Sequence, residues 1–292
     1  MARLPITVLD PSIWGDRARL DHCSELRLEP EALVRLWARK DARVVDIDAH
    51  QHFRTDPLGE PAAGALGPDT VFLGTVDAQP WFARRSALIE DGDTLRSATL
   101  DAARTQVAMA GAAALNWASI ARFCERCGGE LERTQGGFAA TCRSCQRQSF
   151  PRTDPAIIVA VLDTNDRLFL AHQTTWTSGR VSILAGFAEA GESVENAVHR
   201  EVGEESQLRL SALRYLGSQP WPFPRSLMLG FCARGVGPGQ VDGVELEWGE
   251  WFSRAALEAR LDDGSLEISA VGSIARRLID AWRVGSLPAP EW

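Results

Sequence analysis

Two glutamates four residues apart, Glu201 and Glu205, fall in line with Ala197 on the helical stretch Val194 to Ser206, and Val194 and Val198 share that face. Two carboxylates are thus aligned with apolar residues that should point inward. A like-charged pair at this spacing is unfavourable in water and more so when partly buried. Something positive must offset it, and two readings are open. One is a hard divalent cation, Mg2+ or Mn2+, which takes carboxylate oxygens and bridges to phosphate. The other is a solvated acidic face whose glutamates pair with Arg200 and its neighbours.

A second cluster is built of thiols. Cys124, Cys127, Cys142 and Cys145 follow C-x2-C-x14-C-x2-C, with Gly128-Gly129 and Gly136-Gly137 as turn residues. Each pair can point two thiolates at one ion, and four thiolates close a tetrahedral Zn2+ site with no open position for chemistry. That makes it a structural zinc; four ordinary buried thiols, or a redox pair, are the competing readings. The two remaining cysteines, Cys23 and Cys232, read as small buried apolar residues. Between Trp117 and Arg152 lie six arginines (122, 126, 133, 143, 147 and 152) against three glutamates (125, 130 and 132). This surplus either touches a nucleotide or an RNA end or is a solvated surface.

The elements that must position these groups are partly readable. Arg43 to Ile47 and Thr70 to Val76 are strand-like runs between Pro and Gly clusters, so a small α/β or mostly β unit comes first. Leu100, Ala103, Val107, Ala110, Ala114 and Trp117 recur at helical intervals, which predicts a long helix from about Thr94 to Phe123 despite Gly111 in its middle. Ala156 to Leu162 and Arg167 to His172 form a predicted hairpin across the turn residues 163–166. A strand over Ser182 to Glu189, the helix Val194 to Ser206, a strand over Leu227 to Ala233 and a helix over Val271 to Arg283 complete a mixed, α+β half.

The chain has 292 residues, 45% hydrophobic and 24% charged, which fits a folded protein of two or more units. Its net charge of -8 disfavours bulk DNA binding. Neither Gly-x-Gly-x-x-Gly nor a P-loop occurs. Met1 to Gly15 lacks the charged start and apolar centre of a signal peptide, and Ala156 to Leu162, the longest apolar run, is too short to span a bilayer. A cytoplasmic protein is expected, in keeping with unpaired Cys-x-x-Cys motifs.

The stretch 186–208 resembles the Nudix box, Gly-x5-Glu-x7-Arg-Glu-hydrophobic-x-Glu-Glu-x-Gly-hydrophobic, at Gly186, Glu192, Arg200, Glu201, Val202, Glu204, Glu205 and Leu208. Gln207 stands where the box has a glycine in a left-handed turn. A side chain there costs roughly 1–2 kcal/mol, so the helix end is expected to differ. Ser218-Gln219-Pro220-Trp221-Pro222-Phe223-Pro224-Arg225-Ser226 is similar to a signature of the NADH pyrophosphatase (NudC-type) branch of the Nudix hydrolases. The three prolines make a stiff loop, and Trp221 and Phe223 offer flat faces on which a base can stack.

That resemblance covers about residues 120 to 285. It implies a Nudix α/β/α sandwich over 153–292, preceded by a zinc ribbon over 119–152 and a small N-terminal α/β domain over 1–118. It further implies that Glu201, Glu205, Glu245 and the carbonyl of Ala185 hold Mg2+ or Mn2+, with Glu204 a further ligand or the water activator. Glu192 and Arg200 would brace the box. Gln219 to Ser226 and Ala275 would line a dinucleotide site, and Arg96 is a candidate substrate arginine. Phe150-Pro151 replaces the family's Tyr-Pro, which keeps a ring but loses a phenol hydroxyl. The family acts on NADH and NAD+, in some members on NAD-capped RNA, and its members are homodimers. A weakly catalytic dinucleotide sensor or RNA-binding regulator is the alternative, against which the intact Glu201, Glu204 and Glu205 speak. A broad nucleoside-diphosphate hydrolase would not need the Pro-rich loop.

Overall fold

The computed structural model describes residues 19–98, 100–241 and 243–291; Met1 to Gly15, read above for a signal peptide, lie outside them. The described residues up to Thr153, joined by Trp221–Arg225, form one compact unit, and Asp154–Pro220 with the residues from Ser226 onward form the other. No helix among them is long and apolar enough to cross a membrane.

In the first unit, β1 (Leu20–Asp21), β2 (Arg43–Ile47), β3 (Glu60–Pro61), β4 (Thr70–Val76) and β5 (Gln79–Arg85) form one sheet in the order β1-β4-β5-β2-β3. Strand alternation divides its side chains between two helices. Val44, Phe72 and Phe82 pack with Leu33 and Trp37 of α1 (Pro30–Trp37). Val45, Ile47, Val71, Leu73 and Ala83 pack with α2 (Ala102–Ile120). Gly111, a helix-weakening residue in the sequence, lets α2 lie against the sheet: a Cβ there would sit 3.1 Å from both Ala83 Cβ and Ile47 Cδ1. The helix begins at Ala102 rather than Thr94. Asp101 caps it by accepting from the Arg104 N–H at 2.9 Å, while Thr94 and Ser97 close a separate turn upstream. A three-stranded antiparallel ribbon follows, β6 (Leu131–Thr134), β7 (Ala139–Cys142) and β8 (Gln148–Ser149). Cys23 departs from its expected burial. It is half-buried at φ 43°, its Sγ 3.5 Å from Thr75 Oγ1.

The second unit contains β9 (Asp154–Leu162), β10 (Leu168–Gln173), β11 (Arg180–Val181), β12 (Leu184–Phe187), β13 (Arg209–Trp221), β14 (Ser226–Val236), β15 (Leu246–Phe252) and β16 (Glu267–Ile268). The main sheet runs β13-β14-β9-β10-β15, with β12 also on β9. β9 is buried on both faces, as its unbroken apolar run requires. Ile157, Val159 and Val161 pack against Ala197, Val198 and Val202 of α3 (Val194–Ser206). Ile158, Ala160 and Leu162 pack with Leu257 of α4 (Arg254–Asp262) and with Ile274, Leu278 and Trp282 of α5 (Ile274–Arg283). The result is the α/β/α sandwich anticipated above. α5 starts three residues later than its expected Val271, where Ser273 caps it through the Arg276 N–H. Cys232 is buried on β14, and burial pushes its thiol up to about 12.

The end of α3 does not differ as expected. Gln207 takes the left-handed conformation itself, φ 55° and ψ 18°, and donates its N–H to the Gly203 carbonyl at 3.0 Å. The helix thus ends as a glycine would end it, with the strain of a side chain added. Gln207→Gly is expected to stabilise the protein by about 1 kcal/mol in urea unfolding; an unchanged midpoint would show that the side chain carries no strain there.

Candidate active site

α3 is started by Ser193, whose hydroxyl accepts from the Asn196 N–H at 3.3 Å, and is held on the sheet by Ala197, Val198 and Val202, all fully buried. This docking sets the depth of the glutamates: the Glu201 side chain is 14% exposed, Glu205 is 5% exposed and the Glu204 side chain is 64% exposed. Glu201 turns its carboxylate onto β12, where the missing side chain of Gly186 makes room. A Cβ at Gly186 would fall on the Glu201 carboxyl group.

Arg200 braces the surrounding loop. Its Nε and Nη2 donate to the two oxygens of Glu192 at 3.0 and 2.9 Å, and Nη2 also reaches the Phe187 carbonyl at 2.8 Å. Its Nη1 donates to Glu201 at 2.9 Å and Glu204 at 3.1 Å. The guanidinium holds the Glu192 carboxyl below the usual carboxylate range. Glu201 goes the other way: burial raises its pKa against the pull of Arg200, and the negative charges of Glu204 and Glu245 raise it further. The arginine pairing expected by one reading of the acidic face is therefore present. Arg200 does pair with the glutamates, yet one guanidinium serves three carboxylates and leaves Glu201 short of positive charge.

That surplus of buried negative charge, on oxygen donors alone, fits a divalent cation of the hard class. Ala185 lies beside this group on β12, opposite Ile158, and exposed Glu245 lies immediately before β15. Among the described residues, only the four cysteines draw three or more ligand-bearing side chains into a tight cluster. The carboxylates are not gathered in that way.

Within the same unit, Gln219 is spent on structure. It is 7% exposed, its Nε2 donating to the Gly272 carbonyl at 2.8 Å and its Oε1 accepting from the Ile274 N–H at 2.7 Å. It thereby fixes the first turn of α5, where Ala275 is buried in the core. Ser226 is buried at the start of β14 and Pro220 is exposed. Phe187, directly after Gly186, is 54% exposed, an aromatic ring in water beside the carboxylate helix. Sequence reasoning passed over it because one phenylalanine in a loop has no periodicity; only its exposure marks it.

In the first unit, Trp221 and Phe223 pack edge to face at 4.9 Å, and the Arg96 guanidinium lies over both rings, 5.3 and 4.7 Å from their centroids. Asn116 of α2, not anticipated from sequence, donates to the Pro222 carbonyl at 3.0 Å and the Pro224 carbonyl at 3.4 Å. Arg225 is exposed and Phe150 is 40% exposed. The sulfurs of Cys124, Cys127, Cys142 and Cys145 all lie within 4.8 Å of one another, with 3.7 Å from Cys124 to Cys145 and 3.5 Å from Cys127 to Cys142. Four sulfurs about 2.3 Å from a central Zn2+ stand roughly 3.8 Å apart, so the set fits zinc.

A carboxylate-bearing helix braced by its own arginine, on a mixed sheet with helices on both faces, defines a Nudix hydrolase. The NUDIX domain model matches residues 152–270. The "NAD-capped RNA hydrolase NudC" of Mycobacterium bovis is 38% identical over 294 residues, 91% of this chain and 93% of its own length. Its namesake from Shigella flexneri is 35% identical over 77% of this chain and 85% of its own. That from Pseudomonas syringae pv. tomato is 43% identical over 60% of each. The chain belongs to the NudC family of Nudix hydrolases and is a pyrophosphohydrolase.

Proposed function

We propose that the protein hydrolyses the pyrophosphate of NADH and NAD+, giving a nicotinamide mononucleotide and AMP, and that it removes NAD caps from RNA 5′ ends. The observation that carries the reading is the pair of buried carboxylates, Glu205 at 5% exposure and Glu201 seated against Gly186 and sharing one guanidinium with two other carboxylates, together with relatives whose names specify NAD-capped RNA. Glu201, Glu205, Glu245 and the Ala185 carbonyl are the proposed ligands of Mg2+ or Mn2+. A divalent cation supplies neutralising charge on the phosphoryl oxygens and acidifies water. Water oxygen bonds to one phosphorus, the bridging P–O bond breaks, and the other phosphate leaves with its electron pair. Glu204, exposed and on the edge of the group, is the proposed acceptor of the water's proton. In the second unit Phe187 offers a ring face on which a base can stack; in the first, Trp221, Phe223 and Phe150 offer ring faces and Arg96 a charge for a phosphate. The remaining parts of the proposal are a zinc held by the four cysteines, a homodimer, and a cytoplasmic setting that keeps those thiols reduced.

The direct test is incubation with NADH, NAD+, ADP-ribose and NAD-capped RNA across Mg2+ and Mn2+, with products identified by mass. Absence of mononucleotide products from all four would overturn the reading. For the aromatic loop, Trp221→Ala should raise KM for NADH roughly 5- to 150-fold, the equivalent of about 1–3 kcal/mol of base stacking. Because Trp221 also packs in its own unit, Asn116→Ala, which loosens the loop but keeps both rings, should raise KM less. Equal effects of the two would assign the loop to packing.

A further inference from the structure

The six arginines of the zinc module are not equivalent. Arg133 pairs with Asp69 at 3.1 Å, Arg147 with Glu125 at 3.3 Å, and Arg143 with Glu132 and Glu130 at 3.4 and 3.7 Å. These pairs use every glutamate between Trp117 and Arg152. The exposed side chains of Arg122 and Arg126 have no ion pair or hydrogen bond among the described residues. Between them stands Phe123, 65% exposed, and just before them Ile120, 66% exposed. A ring left in water is costly, and nothing in its own unit covers this one.

Uncompensated guanidiniums flanking an exposed ring, within five consecutive residues of a protein whose overall charge is -8, form a local site for an anion that also carries a flat face. An apolar protein partner would satisfy Ile120 and Phe123 but bury two unpaired charges. A duplex offers phosphates but keeps its bases stacked. A single strand offers both phosphates and unstacked bases. We propose that Arg122, Phe123 and Arg126 bind single-stranded RNA, the body of a capped substrate. This rests on the reading of the protein as an RNA-decapping hydrolase.

The test uses the zinc-loaded full chain and a fluorescent, uncapped ten-nucleotide RNA, followed by anisotropy at several salt concentrations. The double variant Arg122→Ala/Arg126→Ala should weaken binding about ten-fold or more at low salt and flatten the plot of log K against log salt by about 1.4, the share of two phosphate contacts. Phe123→Ala should weaken binding at least about five-fold with the salt slope kept. Arg143→Ala, in the same module but ion-paired, should change little. KM and kcat for NADH should stay at wild-type values in all three variants. Unchanged RNA affinity in both Arg122/Arg126 and Phe123 variants would overturn the proposal, as would an equal loss in Arg143→Ala. So would a change of oligomeric mass with RNA affinity retained, which would make the strip a protein interface. RNA binding without NADH cleavage would sink the hydrolase reading and leave this surface standing; cleavage without RNA binding would do the reverse.

Discussion

Glu201→Gln is expected to lower turnover of NADH about 10²- to 10³-fold while raising the thermal stability of the metal-free protein. The loss follows from removing one charge of a set that acts on a developing phosphoryl transition state, where a single preorganised electrostatic contact is worth about 3–4 kcal/mol. The gain follows from burial. Desolvation leads the upward shift of the Glu201 pKa, so the folded state favours the neutral carboxyl. Such a group contributes stability below its unfolded pKa of about 4.3, and that contribution is lost as pH rises through the higher folded value. At neutral pH the metal-free protein therefore holds an unfavourable charge that glutamine lacks, while the Arg200 Nη1 bond to Oε1 at 2.9 Å can be kept by the amide oxygen. Melting curves in EDTA should separate the two proteins near pH 7.5 and converge toward pH 4. Excess Mn2+ should then raise the wild type more than the variant. Wild-type turnover by Glu201→Gln at ordinary Mn2+ would return α3 to an acidic surface helix.

What could be read from the sequence followed physical periodicity. The strands Arg43–Ile47 and Thr70–Val76 and the helix Val194–Ser206 have their forecast bounds because each carries an unbroken pattern between clear stop signals. α1, β5, β13 and α4 went unread. β5 carries Pro80, a residue that argues against a strand, and long β13 is built largely of half-exposed and polar residues with no clean alternation. The carboxylate and cysteine sets were legible because their chemistry dictates their spacing. Roles of Gln219 and Asn116 were not. Each joins segments more than 50 residues apart through a side-chain amide, Gln219 to Ile274 and Asn116 to Pro222, and no local pattern announces such a bond. Gln207 is the reverse case. Its departure from the family glycine was visible, but the direction in which the conflict resolves was not: the rest of α3 fixes the turn, and the side chain accepts the strain.

Cys124→Ser should abolish zinc binding and unfold the ribbon of β6, β7 and β8, with a far larger effect on stability than on kcat. Purified wild-type protein should carry about one zinc per chain. The argument is one of core size. Among the described residues the apolar cluster under the ribbon is Trp117, Ala118 and Ala140, with Ala121 and Leu131 against them, small for ordering some thirty residues. The far turn does dock: Arg27 lies 3.6 Å over the Phe138 ring, and a Cβ on Gly137 would meet Val71 Cγ2 at 2.9 Å. That contact fastens one end of the ribbon. The cysteine end is held by its sulfurs, a few backbone hydrogen bonds and exposed ion pairs that contribute little, with the Cys145 N–H donating to Cys142 Sγ at 3.4 Å and holding that thiol down to about 6. Zinc on such a set contributes about 10–16 kcal/mol of apparent binding energy, as large as the whole stability of a typical domain. Removing one ligand should therefore lower the melting temperature by tens of degrees or split the transition in two, and a chelator should do the same to the wild type. Protein that stays folded should keep kcat for NADH within about two-fold, since a closed four-sulfur site has no open position for a reacting water. A fully reduced wild type without zinc that melts at its ordinary temperature would show that the four thiols are packing residues. A large fall in kcat with the ribbon still folded would give this centre a part in the chemistry instead.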